Sequence, residues 1–232
     1  PGGGYQAETT AGFSIVDYTG TGSAGTVSHG LGATPHWIIV KRRNANSSWI
    51  VYHHKNTDAP ETDILELQAN NATYDNSTYW NDTAPTSSVF TVNTSSDGNA
   101  DGATYIAYVF TEIQGYSKFG SYKGNGDGDG PFVYTGFKPA WLLTKKSSAS
   151  DHWRIVDNKR EPFNDGSMQG LKANGNDTHS DSGSRGLDFL SNGFKVRTTD
   201  VDSNASGGDY VYMSFAEHPF VSSEGVPFPF AF

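Results

Sequence analysis

The chain has 232 residues, a formal net charge of −9 at pH 7, 27 glycines and no cysteine. An average surface this acidic repels phosphate backbones, which argues against nucleic acid as a partner, and no disulfide or thiolate metal site can reinforce the core. No run approaches the ~20 apolar residues that a spanning helix needs, so membrane insertion is not expected.

Taken in chain order, residues 1–10 open on Pro1-Gly2-Gly3-Gly4 and read as a flexible lead-in. Period-two alternation then predicts strands over 12–19, 37–43, 48–54, 64–68, 88–94 and 104–112. Gly115-Tyr116-Ser117 marks a junction too short to act as a flexible linker. A second series of strands follows at 119–123, 132–135, 141–146, 152–157, 187–190, 194–199 and 209–216. Clusters such as Thr19-Gly20-Thr21-Gly22 and Ser206-Gly207-Gly208-Asp209 are the turns between them. Residues 56–63 and 163–186 read as long polar loops, and no segment supports a helix. At the end, Phe228, Phe230 and Phe232 sit in a Pro-stiffened strip over 226–232, an assembly contact expected to dock on its own module or on a neighbouring subunit.

The two series are one series written twice. Gly32/Gly136, Pro35/Pro139, Trp37/Trp141, Lys41/Lys145, Trp49/Trp153, Phe90/Phe194 and Val92/Val196 lie 104 residues apart, while Tyr105/Tyr210, Phe110/Phe215 and Glu112/Glu217 lie 105 apart. A repeat of half the chain is far longer than a solenoid unit and matches the size of a small domain. The expected fold is therefore all-β, two tandem homologous antiparallel β-sandwich modules of jelly-roll-like form over 11–115 and 116–219, with a docking tail at 220–232.

Catalysis finds little footing. His53 and His54 are adjacent in a strand and point to opposite faces. No zinc-protease, nucleophile-elbow or phosphate-loop motif is present. Glu112 and Glu217 hold equivalent positions, but equivalent points of two modules lie far apart, whereas glycosidase carboxylates stand within ~5–10 Å. No catalytic residue is assigned and the chain is read as a non-enzyme. Asn125, Asp127 and Asp129 in the Gly-spaced run 125–130 match the opening of a calcium loop, as does 97–102, and neither carries the closing Glu. Asx turns explain the same residues without an ion, so no cofactor is expected unless calcium binds there. Trp37, Trp141, Trp49 and Trp153 begin or sit in apolar strands and read as core. Tyr79, Trp80, Asn81 and Asp82 lie in a polar stretch with no counterpart in the second copy, either as a sugar-binding face or as a loop anchor.

Several longer motifs resemble a family. Gly12-Phe13-Ser14-Ile15-Val16, Tyr18-Thr19-Gly20-Thr21-Gly22, Val27-Ser28-His29-Gly30-Leu31-Gly32 and Pro35-His36-Trp37-Ile38-Ile39-Val40-Lys41 are similar to a domain of structural and fibre-like proteins of marine tailed bacteriophages. Trp80-Asn81-Asp82-Thr83-Ala84-Pro85-Thr86, the run 115–122, the run 130–137, Leu190-Ser191-Asn192-Gly193-Phe194-Lys195 and Phe215-Ala216-Glu217-His218-Pro219-Phe220 continue the likeness over about 11–220. The resemblance implies a virion-surface location, other virion proteins as partners, and a task in assembly or host attachment, with no assigned reaction. Homo-oligomers displaying several weak sugar sites fit such a task. The rival readings are a capsid decoration protein without glycan binding, a surface glycan depolymerase, and a secreted lectin.

Overall fold

A computed structural model of the chain describes residues 1–160, 164, 170–176 and 186–219. Among them every paired strand is antiparallel, and no helix is long and apolar enough to cross a membrane. The chain divides into two compact units, one of residues 1–68 and 73–112, the other of 69–72 and 113 onward.

The first unit contains β1 (Gly2–Glu8), β2 (Phe13–Thr19), β3 (Gly25–Ser28), β4 (Trp37–Arg42), β5 (Trp49–His53), β6 (Asp63–Glu66), β7 (Tyr74–Asp75), α1 (Ser77–Trp80), β8 (Val89–Val92), α2 (Ser96–Asn99) and β9 (Thr104–Phe110). They form one sheet in the order β1-β2-β9-β4-β5-β6-β7 and a second of β3-β8. Alternation along β9 turns Tyr105, Ala107 and Val109 inward. They join Val16, Tyr18, Ile38, Val40, Ile50 and Ile64 of the large sheet and Val27, Phe90 and Val92 of the small one in a single core. The apolar faces of both sheets are thereby removed from water together.

The second unit contains β10 (Ser117–Lys123), β11 (Phe132–Tyr134), β12 (Pro139–Lys146), β13 (Arg154–Asp157), β14 (Gly170–Lys172), β15 (Leu187–Leu190), β16 (Gly193–Val196), α3 (Val201–Asn204) and β17 (Asp209–Ala216). Its sheets run β10-β17-β12-β13-β14 and β11-β16-β15 around Val133, Leu142, Val156, Leu187, Phe189, Phe194, Val196 and Tyr212. The order β2-β9-β4-β5-β6 of the first unit thus recurs strand for strand, and β3-β8 recurs as β11-β16. Register follows: Trp37 faces Phe110 and His53, while Trp141 faces Phe215 and Asp157.

Inside each unit the same lock appears. Tyr18 stacks on Tyr105 at 5.0 Å and Tyr122 on Tyr210 at 4.8 Å. The Tyr105 hydroxyl accepts from the Ala100 N–H and donates to Ser96 O, and the Tyr210 hydroxyl accepts from the Ala205 N–H and donates to Val201 O. Asn99 and Asn204 end α2 and α3 and are fully buried. The Asn99 amide donates to Ser23 O and Asn93 O and accepts from the Thr21 N–H. The Asn204 amide donates to Asp127 O, Thr198 O and Asn125 Oδ1 and accepts from the Asn125 N–H.

Two expectations are corrected, and a third falls on residues the structure does not describe. The lead-in is a strand: β1 pairs with β2 from Gly2↔Thr19 to Glu8↔Phe13. A backbone ladder needs no side-chain alternation, and at Gly3 a Cβ would meet Asp17 O at 2.0 Å, so this approach requires glycine. Helices do occur, as single turns capped by the side chains of Asn76, Ser95 and Asp200. The Phe228, Phe230 and Phe232 strip lies outside the described residues.

Candidate functional site

Antiparallel order places the start of β4 beside the ends of β5 and β9, its two neighbours in the sheet. His36 precedes β4, His54 follows β5 and Glu112 comes just after β9, so all three emerge at one end of one sheet. Backbone bonds fix them there: the His54 N–H donates to His36 O at 3.0 Å, and the His36 N–H to Phe110 O at 2.8 Å. The two imidazoles meet edge to face, with centroids 4.4 Å apart at 89°. His54 Nε2 stands 3.9 Å from Glu112 Oε1, with the two side chains 21% and 19% exposed. One nitrogen of each ring and a Glu112 oxygen all lie within 4.8 Å of one another.

His36 Nδ1 is 3.0 Å from Thr111 Oγ1 and 3.1 Å from the Glu112 backbone nitrogen. The Thr111 hydroxyl donates its own proton to Thr34 O, at 3.1 Å, leaving its oxygen to accept. Both tautomers of His36 are served. With the proton on Nδ1 the ring donates to Thr111; with the proton on Nε2 the ring accepts from the Glu112 N–H.

The same end of the second unit is built differently on the same backbone. Asn158, the counterpart of His54, donates its N–H to Ala140 O at 3.0 Å, as His54 does to His36 O. The Glu217 carboxylate takes the Lys138 ammonium at 2.8 Å and the Asn158 amide at 2.6 Å. The hydrogen bond from Lys138 holds the Glu217 carboxyl below the ordinary carboxylate range.

The other expected sites fare unevenly. Tyr79 and Trp80 are not an exposed sugar face: they are 8% and 2% exposed, packed in the core. Trp80 donates its indole N–H to Asp63 O at 3.1 Å and Tyr79 its hydroxyl to Asp97 Oδ2, so the turn of α1 faces inward and anchors the loop. Only Asn81 and Asp82 remain in water, both with left-handed backbone, φ 55° and 45°. Asn125, Asp127 and Asp129 form successive Asx turns, Asp127 N–H to Asn125 Oδ1 and Asp129 N–H to Asp127 Oδ1. Asp129 Oδ1 is also held by Lys195 at 2.9 Å and Arg197 at 3.3 Å, with Lys195 the main cause of its lowered pKa. One side-chain oxygen of each, the Oδ1 of Asn125, Asp127 and Asp129, thus accepts from donors of the chain itself. In the run 97–102, Asn99 is similarly committed to the lock described above.

Exposed aromatic rings are found elsewhere. Phe132 and Tyr134 are 45% and 65% exposed on the outward face of β11, whose inward residue Val133 is in the core. None of these rings, nor His36 or His54, was expected as a site residue. The signal for the histidines was the equivalence of Glu112 with Glu217, followed across the neighbouring strands.

The family model described as "Domain of unknown function (DUF7483)" matches residues 4–219. No curated protein matches the chain, and no solved structure matches it.

Proposed function

We propose that this chain, which belongs to the DUF7483 family, is a non-enzymatic surface module of a virion, part of a tail or head fibre, that assembles with other virion proteins and holds a host-surface glycan. Its two units are tandem homologous β-sandwiches of jelly-roll-like form, a reading supported by the recurrence of strand order and of the Tyr-Asn lock. The virion assignment is supported by the ordered motifs between residues 11 and 220.

The binding assignment is carried by one observation, the exposed pair of Phe132 and Tyr134. A strand rises about 3.3 Å per residue, so the two rings stand about 7 Å apart along one face. Aromatic faces stack on the C–H face of a pyranose, and neighbouring polar groups take its hydroxyls. Lys195 lies opposite Phe132 on β16 and pairs with Asp129, providing such groups. Oligomeric display multiplies weak contacts of this kind into useful avidity.

A glycan array probed with the full chain and with a Phe132→Ala/Tyr134→Ala double variant tests the reading. Binding of the wild type and a loss of about tenfold or more in the folded variant supports it, given that contacts worth about 1.4 kcal/mol change affinity tenfold. A silent array together with tight binding to capsids rejects the glycan part and favours a decoration protein.

A further inference from the structure

We propose that His36, His54 and Glu112 bind one zinc-class transition-metal ion in the first unit, with the fourth position left to water. The inference is independent of the virion reading, since it rests on different residues, all in the first unit.

Two imidazole nitrogens and one carboxylate oxygen are a zinc donor set; calcium and magnesium take oxygen. Around a tetrahedral ion with bonds of ~2.0–2.1 Å, ligand atoms lie ~3.4 Å apart. The 3.9 Å between His54 Nε2 and Glu112 Oε1, and the 4.8 Å span of the whole group, close to that by small side-chain rotations. The backbone need not move, because all three residues leave adjacent, hydrogen-bonded strands. A histidine that binds metal through Nε2 keeps its proton on Nδ1 and needs an acceptor there. For His36 that acceptor is Thr111 Oγ1, itself oriented by its bond to Thr34 O. Metal binding therefore selects one of the two tautomers that the site accommodates and releases the Glu112 N–H from the ring.

The second unit provides the internal control. Its matching carboxylate, Glu217, already has a cation in Lys138, and it lacks both imidazoles, with Ala140 and Asn158 at the positions of His36 and His54. Thr34 stands where the second unit has Lys138. One end sets an ammonium against its carboxylate; the other sets two imidazoles beside it.

The test uses the full chain after chelator treatment, titrated with Zn²⁺ in a calorimeter and with Co²⁺ in a visible spectrometer. The expected result is one equivalent bound, an intense four-coordinate cobalt spectrum, and a higher Tm with metal. His54→Asn and His36→Ala, which install the second unit's residues, each weaken binding about 100-fold or more, and Thr111→Val weakens it about tenfold or more. His152→Ala, which removes an imidazole outside the ligand set, leaves binding unchanged. Lys138→Thr combined with Ala140→His and Asn158→His raises the stoichiometry to two. Absence of saturable binding, an octahedral cobalt spectrum, or affinity that stays within about threefold of wild type in His54→Asn overturns the proposal, where threefold corresponds to under about 1 kcal/mol. Far-UV circular dichroism of the metal-free variants checks the fold. His54→Asn remains informative even where His36→Ala fails to fold, because asparagine occupies that position in the second unit.

Discussion

The interiors of the two units resemble each other far more closely than the ends of their sheets do. Tyr18/Tyr122, Tyr105/Tyr210 and Asn99/Asn204 are the same residue making corresponding bonds in each copy. His36/Ala140, His54/Asn158 and Thr34/Lys138 share only a backbone position. The difference follows from what each side chain is asked to satisfy. A buried amide that serves several backbone groups cannot change without leaving donors and acceptors unpaired, which is costly away from water. At the sheet end the bonds His54 N–H to His36 O and Asn158 N–H to Ala140 O are made by the main chain whatever the side chains are, and water reaches those side chains, so the chemistry there can be replaced.

The comparison breaks most readily at the buried asparagines. Asn99→Ala and Asn204→Ala should each lower unfolding stability by about 3 kcal/mol, since each strands several buried partners at roughly 1 kcal/mol or more apiece. Urea titration of the two variants checks this. Losses that differ greatly would show that the locks are alike in geometry but not in strength.

A lysine pair sharpens it. Lys145 is fully buried, with its ammonium donating to Lys146 O and Ala149 O, and burial pushes its pKa down to about 8. Its counterpart Lys41 donates to Ser47 O and lies 5.5 Å from the centre of the Trp49 ring. Because the folded value of Lys145 is depressed, the unfolded chain holds more protons above pH 8, so this group makes stability rise as pH increases through that range. Between about pH 7.5 and 9.5 the wild type should gain on the order of 2 kcal/mol relative to Lys145→Met. Parallel pH dependence of the two would refute the burial argument.

The smallest effect belongs to the surface ion pair. Lys138 is 48% exposed, so solvent screening limits the loss in Glu217→Gln to under about 1 kcal/mol at neutral pH. The depressed carboxyl contributes stability above its unfolded pKa and loses it as pH falls through the folded one. The gap between wild type and variant should therefore narrow on acidification, and also in about 1 M salt, where the Debye length is only about 3 Å. Denaturation midpoints that are insensitive to salt would contradict this account.

Strands with dense alternation were legible from sequence. Residues 104–112 and 209–216 match β9 and β17 closely because β-branched and aromatic residues fill both faces. β3 was not legible: Gly25–Ser28 carries a single buried apolar residue, Val27, and gains its ladder only from β8, more than 60 residues away. The single-turn helices hid inside Asn, Asp and Ser clusters because a cap and a turn use the same side-chain chemistry. Polar neighbours left Trp80 open between a sugar-binding face and a loop anchor, and the turn of α1, which takes the ring inward, decides for the anchor. The expectation that His53 and His54 point to opposite faces is corrected: β5 ends at His53, so His54 leaves the strand alternation and the two rings lie 5.3 Å apart. What alternation could not supply was cross-strand register, which sets His53 against Trp37 and brings His36 to His54.

In each unit an early strand is zipped to the last one, β2 to β9 and β10 to β17, with the Tyr18 hydroxyl reaching Gly98 across 80 positions of chain. Such contacts carry a large loop-closure cost and delay folding until the final strand is available. During synthesis the first unit can close once its β9 has left the ribosome, while the second is still being made. The polypeptide then matures in two sequential steps, each gated by a C-terminal strand.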